Sequence, residues 1–395
     1  MPKAKRLMSD ICNNTDRKIR VLDLINTHQC ARELLDNRVA QVNATGRYDN
    51  AIYCSSGEFV ELLRKKGHTV YVVENPRNLS PIKMAVCIWK TTRLLRKHRF
   101  HIIHTHTSVP SLVGRLAGFL TRTPIVIHQV HGYHYHDNMN PILKWSIIIV
   151  EKFFALLTDK ILFQNQADVE ECLRRKIAPR RKLVLIGNGT QIDDFKTEKE
   201  VNNNPPIILY VARMEPVKNH TMLLEAACIL KERNVAFKIQ LAGDGELMPK
   251  YEAWVHEHGL DEHIAFLGYR EDVPALIVNA DVCVLVSLNE GLPRGIIEAA
   301  AGGRPMVATD VDGSRDVLVN GTTGFLVPLN DVTSLADRLE QLLSNAALRA
   351  HIGQEARKYA LKHFDERVVT DRIIDVYDDM IVNEKSKADY LGPNG

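Results

Sequence analysis

The 395-residue sequence has no C-x-x-C pair, no apolar run long enough to cross a bilayer, and little net charge. Each absence narrows the field. Its seven cysteines, Cys12, Cys30, Cys54, Cys87, Cys172, Cys228 and Cys283, are odd in number and scattered, several of them inside apolar runs. Such a set reads as small buried hydrophobes in a reducing compartment, not as a disulfide framework or a zinc pattern. The longest apolar stretch, WSIIIVEKFFALL, is interrupted by Glu151 and Lys152 and is too short to span a membrane. The N-terminus lacks the apolar core of a secretory signal, so the expected location is cytoplasmic. A formal net charge of +3 gives no ground for bulk nucleic-acid binding. The basic residues do cluster, notably over Lys90 to Arg99 and Arg174 to Lys182. They read either as solvated faces or as a surface for anionic lipid heads or a diphosphate-linked substrate.

What the chain does contain is alternation. IRVLDLI, NAIYCSS, TVYVVE, HIIHTHTS and PIVIHQVHG are strand-like runs, separated by helical patterns such as CARELLDNRVAQV, EFVELLRKKG and PSLVGRLAGFLTR. This order predicts parallel βαβ units, and the near-continuous apolar strands predict sheets covered on both faces. The pattern restarts after the Asn/Pro-rich stretch Lys196 to Pro206, a candidate linker. A helical tail is expected from about Val332 to Val382. The expected fold is α/β, with two doubly wound, Rossmann-like domains over 1–200 and 205–363. A C-terminal helix from 364 is expected to cross back to the first domain, ending in a tail at 395. Ligands of such sheets bind beyond the carboxyl ends of the strands, so two facing domains predict an interdomain cleft.

The stretch NEGLPRGIIEAAAGGRPMVATD, Asn289 to Asp310, carries the densest chemistry. DVCVLVSL reads as a buried strand and RGIIEAAAGG as a helix closed by glycine. The loop between them offers backbone amides at a helix N-terminus, which form an anion site. Glu298, about one turn into the helix, has two readings: it complements the helix dipole, or it accepts from sugar or ribose hydroxyls. Gly243 and Gly245 in AGDGE predict a tight turn close to ligand, but no third glycine completes a dinucleotide fingerprint. His101, His104, His106, His128, His131, His134 and His136 crowd one region. No matched cysteines and no H-E-x-x-H helix accompany them, so a metal site is not expected. His104 and His106 alternate on a strand, which makes at least one of them a structural, hydrogen-bonded histidine.

SLNEGLPRGIIEAAAGGRPMVATDVDGSRDVL resembles the E-x7-E signature of the family 4 retaining glycosyltransferases, which adopt the GT-B fold. LYVARMEPVKNHTMLLEAACIL, LAGDGE, FLGYREDVPALIVNADVCVLVS, LIGNGTQIDDF, HIIHTHTSVPSLVGRLAG and VIHQVHGYHYHDNM resemble other segments of that family. The similarity runs from about Arg20 to Met380. It implies that Arg213 and Lys218 neutralise a donor diphosphate, a role opposed by plain surface readings of both side chains. It implies that Gly291, Leu292, Pro293, Arg294 and Gly295 help hold sugar and phosphate. Glu298 would accept from the ribose, and Glu290 would sit beside the donor sugar. Gly243, Tyr269 and Arg270 would border the base, although Tyr269 is equally a candidate loop anchor. His131 would contact the donor sugar and position the reacting centre, with His134 and His136 on the acceptor side. One departure stands out: LINTHQCARELL lacks the glycine pair that many relatives carry after the first strand. Asn26, Thr27 and Gln29 stand there instead, either replacing the close backbone approach or facing the acceptor.

The implied reaction is a front-face displacement in which the leaving phosphate oxygen helps take the acceptor proton. Domain closure would exclude water, and no cofactor or cation would be required. The expected donor is a nucleotide-sugar, most simply a UDP-sugar. The acceptor hydroxyl is expected on a polysaccharide or lipid-linked intermediate. A soluble metabolite such as an aminocyclitol is an alternative acceptor, and a UDP-sugar 2-epimerase or a nucleotide-sugar sensor an alternative protein. The apolar helix Pro141 to Leu157 and the basic run Lys90 to Arg99 read either as a peripheral membrane contact or as ordinary core-facing helices. The oligomeric state is not readable.

Overall fold

The computed structural model describes residues 18–74, 80–133, 139–195 and 201–391, excepting the side chains of Ser108 and 385–391. The chain divides into two compact units. One comprises Met1–Gly187 with Val369–Gly395, and the other Asn188–Val368.

The first unit runs β1 (Ile19–Leu24), α1 (His28–Leu34), α2 (Asp36–Ala44), β2 (Tyr48–Cys54), α3 (Phe59–Lys65) and β3 (Val70–Val72). It continues with α4 (Pro81–His98), β4 (Ile102–His106), α5 (Ser108–Thr121), β5 (Ile125–Val130), α6 (Pro141–Leu156), β6 (Lys160–Phe163), α7 (Gln166–Arg174) and β7 (Leu183–Leu185). All seven strands are parallel, in the order β3-β2-β1-β4-β5-β6-β7. Apolar residues of β1 enter two cores, one on each face of the sheet, so Val21, Leu22 and Leu24 are all buried. Leu22 and Leu24 pack with Leu95 of α4 and Ala117 of α5. Val21 packs on the opposite face with Val369, Ile373 and Tyr377 from the end of the chain. The right-handed crossovers β3→β4→β5→β6 set α4, α5 and α6 on one face of the sheet. The single helix expected over CARELLDNRVAQV is two. The break at Leu35 lets Leu35 and Val39 share a core with Ile52 and Leu63.

The second unit runs β8 (Ile207–Val211), α8 (His220–Glu232), β9 (Lys238–Ala242), α9 (Met248–Glu257), β10 (Ile264–Gly268), α10 (Val273–Asn279) and β11 (Val282–Leu285). Then follow α11 (Arg294–Ala301), β12 (Met306–Thr309), α12 (Asp312–Arg315), β13 (Gly324–Val327), α13 (Val332–Leu343) and α14 (Ala346–His363). Its six parallel strands are ordered β10-β9-β8-β11-β12-β13. The expected helical tail is three helices, α13, α14 and α15 (Glu366–Leu391), the last starting close to the expected boundary at 364. Asn345 caps the first break by accepting from the Leu348 amide at 2.9 Å, and Asp365 accepts from the Arg367 amide at 2.9 Å at the second. From Val369 onward α15 belongs to the first unit.

Candidate active site

Each sheet reverses strand order once, between β1 and β4 and between β8 and β11. Such a switch point opens a crevice at the carboxyl ends of the two diverging strands. Lys218, Glu290 and Glu298 belong to the second of these points and His131 reaches the first through His106, whereas Gly243 follows β9 and Tyr269 and Arg270 follow β10.

In the second unit, two loops leave the switch point, one after β8 and one after β11. The Leu288 amide donates to the Val217 carbonyl at 2.8 Å, and the buried Tyr210 hydroxyl donates to the Lys218 carbonyl at 2.5 Å. The first bond ties the two loops together, the second anchors the Lys218 turn to β8, and Lys218 Nζ lies 2.6 Å from Glu290 Oε1. The Glu290 side chain is only 12% exposed, and the pair is shielded from full solvent screening. A Cβ at Gly291 or Gly295 would meet no atom within 4 Å, so the space before the loop is open. Among the described residues, the amides of Gly291, Leu292 and Gly295 donate to no acceptor. Leu292 packs partly on the core, Arg294 opens α11, and Pro293 is the N-cap residue. Proline has no N–H, so of the five loop residues Pro293 supplies no amide; it fixes the chain's entry to the helix.

Glu298 lies one turn into α11, largely buried, with its carboxylate 3.4 Å from the Arg294 guanidinium. Burial pushes its carboxyl above the ordinary value, and Arg294 works against that rise. Arg213 is highly exposed and pairs with Glu215 at 2.8 Å, apart from the Lys218–Glu290 pair. Gly243 has φ +140°, and a Cβ there would fall 2.1 Å from the Ala212 carbonyl oxygen. Close approach of its own chain therefore requires that glycine. Its amide donates to the Gly268 carbonyl at 2.8 Å, just before Tyr269, which is exposed, and Arg270, whose guanidinium pairs with Asp272 at 2.6 Å. Sequence reasoning missed Gly313 in the first turn of α12. A Cβ there would lie 2.5 Å from the carbonyl oxygens of both Glu290 and Gly291, so α12 props the loop from behind. The signal available was the VDGS run directly after β12.

In the first unit, a chain of polar side chains crosses the switch point. The Gln164 amide lies 3.1 Å from His131 Nδ1, and His131 Nε2 lies 3.2 Å from His106 Nδ1. His106 Nε2 lies 2.7 Å from Asp23 Oδ1. If the Gln164 NH2 donates, the order is unique: His131 Nε2–H donates to His106, and His106 Nε2–H donates to Asp23. Asp23 and His106 are fully buried. Burial raises the Asp23 carboxyl and holds His104 and His106 well below the usual histidine value, so both rings are neutral at physiological pH. His104 Nδ1 meets the Tyr377 hydroxyl at 2.7 Å, in keeping with a structural histidine in this strand. Asp23 and Gln164 were not legible as partners of His131. Asp23 sits within an apolar strand, and that isolated carboxylate was the only cue.

Asp23, His104 and His106 bring possible ligand atoms within 4.8 Å of one another. The hydrogen bonds from His106 to Asp23 and between His104 and Tyr377 already occupy much of that donor set. Thr27 accepts from the Cys30 amide at 3.2 Å as N-cap of α1, and the Asn26 carbonyl accepts from the Ser55 amide at 3.1 Å. Thr27 thus has a structural task in the loop that lacks glycine. His134 and His136 lie outside the described residues.

Residues 191–359 match the family model described as glycosyl transferases group 1, and residues 37–194 match that of glycosyltransferase family 4. The chain is 30% identical over 349 residues to the UDP-Gal:alpha-D-GlcNAc-diphosphoundecaprenol alpha-1,3-galactosyltransferase of Escherichia coli, covering 85% of this chain and 90% of that protein. A glycosyltransferase structure from Rickettsia africae superposes with a TM-score of 0.79 at 21% identity, covering 92% of this chain and 99% of the other. Anabaena HepE in complex with UDP and glucose superposes with a TM-score of 0.74 at 19% identity, covering 91% and 99%.

Proposed function

The chain belongs to glycosyltransferase family 4, with the GT-B fold, and from that premise we propose that it transfers a sugar from a UDP-sugar with retention of configuration. The observation that carries this reading is the Lys218–Glu290 pair beside an open, amide-lined loop at a switch point. A nucleoside diphosphate gains negative charge as it leaves, and a fixed cation with oriented amides stabilises that gain without reorganising. Lys218 and the amides of Gly291, Leu292 and Gly295 supply this field. Arg213 joins them by leaving the exposed Glu215 contact, a weak pair to break. Lys218 also holds Glu290 in place, binding one carboxylate oxygen and reducing its repulsion for phosphate. Glu290 accepts from hydroxyls of the donor sugar. Glu298 accepts from the ribose, whose two hydroxyls satisfy a carboxylate that the fold leaves with one long ion pair.

His131 serves the reacting sugar. It reaches a substrate hydroxyl by exchanging the Gln164 amide at Nδ1, while His106 and Asp23 keep hold of Nε2. The departing phosphate oxygen takes the acceptor proton, so the protein mostly positions and polarises. The acceptor we propose is a lipid-linked or polysaccharide intermediate. The E. coli relative, named for transfer to a diphosphoundecaprenol-linked sugar, supports that choice. No step in this scheme needs a metal ion. Titration calorimetry with UDP tests the donor half. Lys218→Ala should weaken UDP binding by about tenfold to a hundredfold, the range expected for a lost hydrogen bond to a charged group. UDP affinity equal to wild type would remove Lys218 from the diphosphate site.

A further inference from the structure

We infer that α4, α5 and α6 form a face that seats the protein on an anionic phospholipid bilayer. The helix α6 carries the argument. Ile148 and Ala155 enter the core with Val130, Ile161 and Phe163. On its other side Ile142, Trp145, Ile149, Phe153 and Leu156 are all more than half exposed, at 82%, 53%, 61%, 54% and 76%. Their spacing of three or four residues makes one apolar stripe along the whole helix. A helix whose apolar content served only the core would show the reverse. On α4, Ile82, Val86 and Trp89 form a second exposed stripe, and Phe119 is exposed near the end of α5. More than half of the large hydrophobic side chains exposed among the described residues lie on these three helices. Exposed apolar surface so concentrated marks a contact site.

Charge selects the occupant. The segments of α4 and α5 contain no Asp or Glu. The one acid of α6, Glu151, turns inward, 3.2 Å from the guanidinium of the fully buried Arg115. The outward charges on α4 are therefore all positive, including the exposed Lys83, Lys90, Arg93 and Lys97. Arg93 lies 5.9 Å over the Trp89 ring, a cation beside an aromatic at the edge of the apolar stripe. Two of the chain's three tryptophans, Trp89 and Trp145, are exposed here, as suits side chains that settle between headgroups and acyl chains. Bases surrounding apolar stripes complement an anionic leaflet, whereas a second copy of the same face would meet like charge. Among the described residues no helix is long and apolar enough to cross a membrane, so the contact lies in the interface plane.

This docking stands on the helices alone and not on the donor or acceptor reading. The test mixes the full chain with vesicles of phosphatidylcholine, and with vesicles of phosphatidylcholine and phosphatidylglycerol. Co-sedimentation and tryptophan emission are followed without any sugar donor. The wild type should bind the anionic vesicles at least about tenfold more tightly, with a blue shift in emission. Ile149→Glu/Phe153→Glu and Lys90→Glu/Arg93→Glu should each abolish that binding and leave UDP affinity unchanged. No preference for anionic vesicles, or undiminished binding by the charge-reversed variant, would overturn the inference. So would lipid-free self-association that Ile149→Glu/Phe153→Glu removes, since the face would then belong to a second copy.

Discussion

At the residue scale, burial works against the charge of one residue of the proposed site, Glu298. A carboxyl whose value rises on folding favours the fold most at low pH, and that contribution is lost as pH climbs through its folded value. Glu298→Gln should therefore raise the thermal midpoint of the ligand-free protein at pH 8, lose that advantage at acid pH, and bind UDP more weakly. A lower midpoint at pH 8 would show that the carboxylate is satisfied within the fold. Asp23 works through two rings. Asp23→Asn keeps the shape but removes the charge that orients His106 and His131, and should lower kcat by about one to two orders of magnitude. UDP affinity should not move, and unchanged kcat would reduce the chain to packing. The family resemblance singled out Lys218, Glu290 and Glu298; position alone left Glu298 with two readings and Lys218 as a plain residue at a helix start. Asp23, Gln164 and Gly313 were not legible. Their tasks depend on which strands and turns become neighbours, and local sequence does not encode that.

At the element scale, short secondary structures set the geometry of the loops. The four-residue helix α12 supports the Glu290 loop through the absence of a side chain at Gly313. Gly313→Ala should displace the loop and weaken UDP binding while the far-ultraviolet circular dichroism stays unchanged. Unaltered affinity would mean that the loop adapts. The first turn of α8 holds His220 between Tyr210 and Tyr251, at ring distances of 4.6 and 5.3 Å, and among the described residues neither ring nitrogen has a hydrogen-bond partner. Burial, helped by Lys218, lowers its pKa to about 4. The unfolded histidine takes its proton first, so stability falls from about pH 6.5 to about pH 4, by about 3 kcal/mol, and then levels. His220→Phe should flatten that acid slope in urea denaturation; an identical slope would place the sensitivity elsewhere. That the strands are parallel followed from the alternating apolar runs. The breaks at Leu35 and Asn345 escaped because helical periodicity continues across them, while caps and core packing decide where the backbone turns.

At the scale of the whole molecule, two doubly wound sheets each bring candidate side chains to the point where strand order reverses. One carries the amide-lined loop with Lys218, Glu290 and Glu298, and the other the Asp23–His106–His131 chain. The restart of the βαβ pattern made both sheets legible, since each repeats the same succession of buried strand and amphipathic helix. The outward apolar stripe of α6 was not decided by sequence, because periodicity alone does not say which side of a helix meets the core. The most direct test follows the purified chain by NMR with UDP-, GDP-, dTDP- and ADP-sugars, in EDTA. The account predicts that one donor, a UDP-sugar, is consumed, with release of UDP and of sugar or glycoside first seen in the α configuration. Turnover only on adding a divalent cation, a first-formed β product, or no binding of any nucleotide-sugar would contradict it.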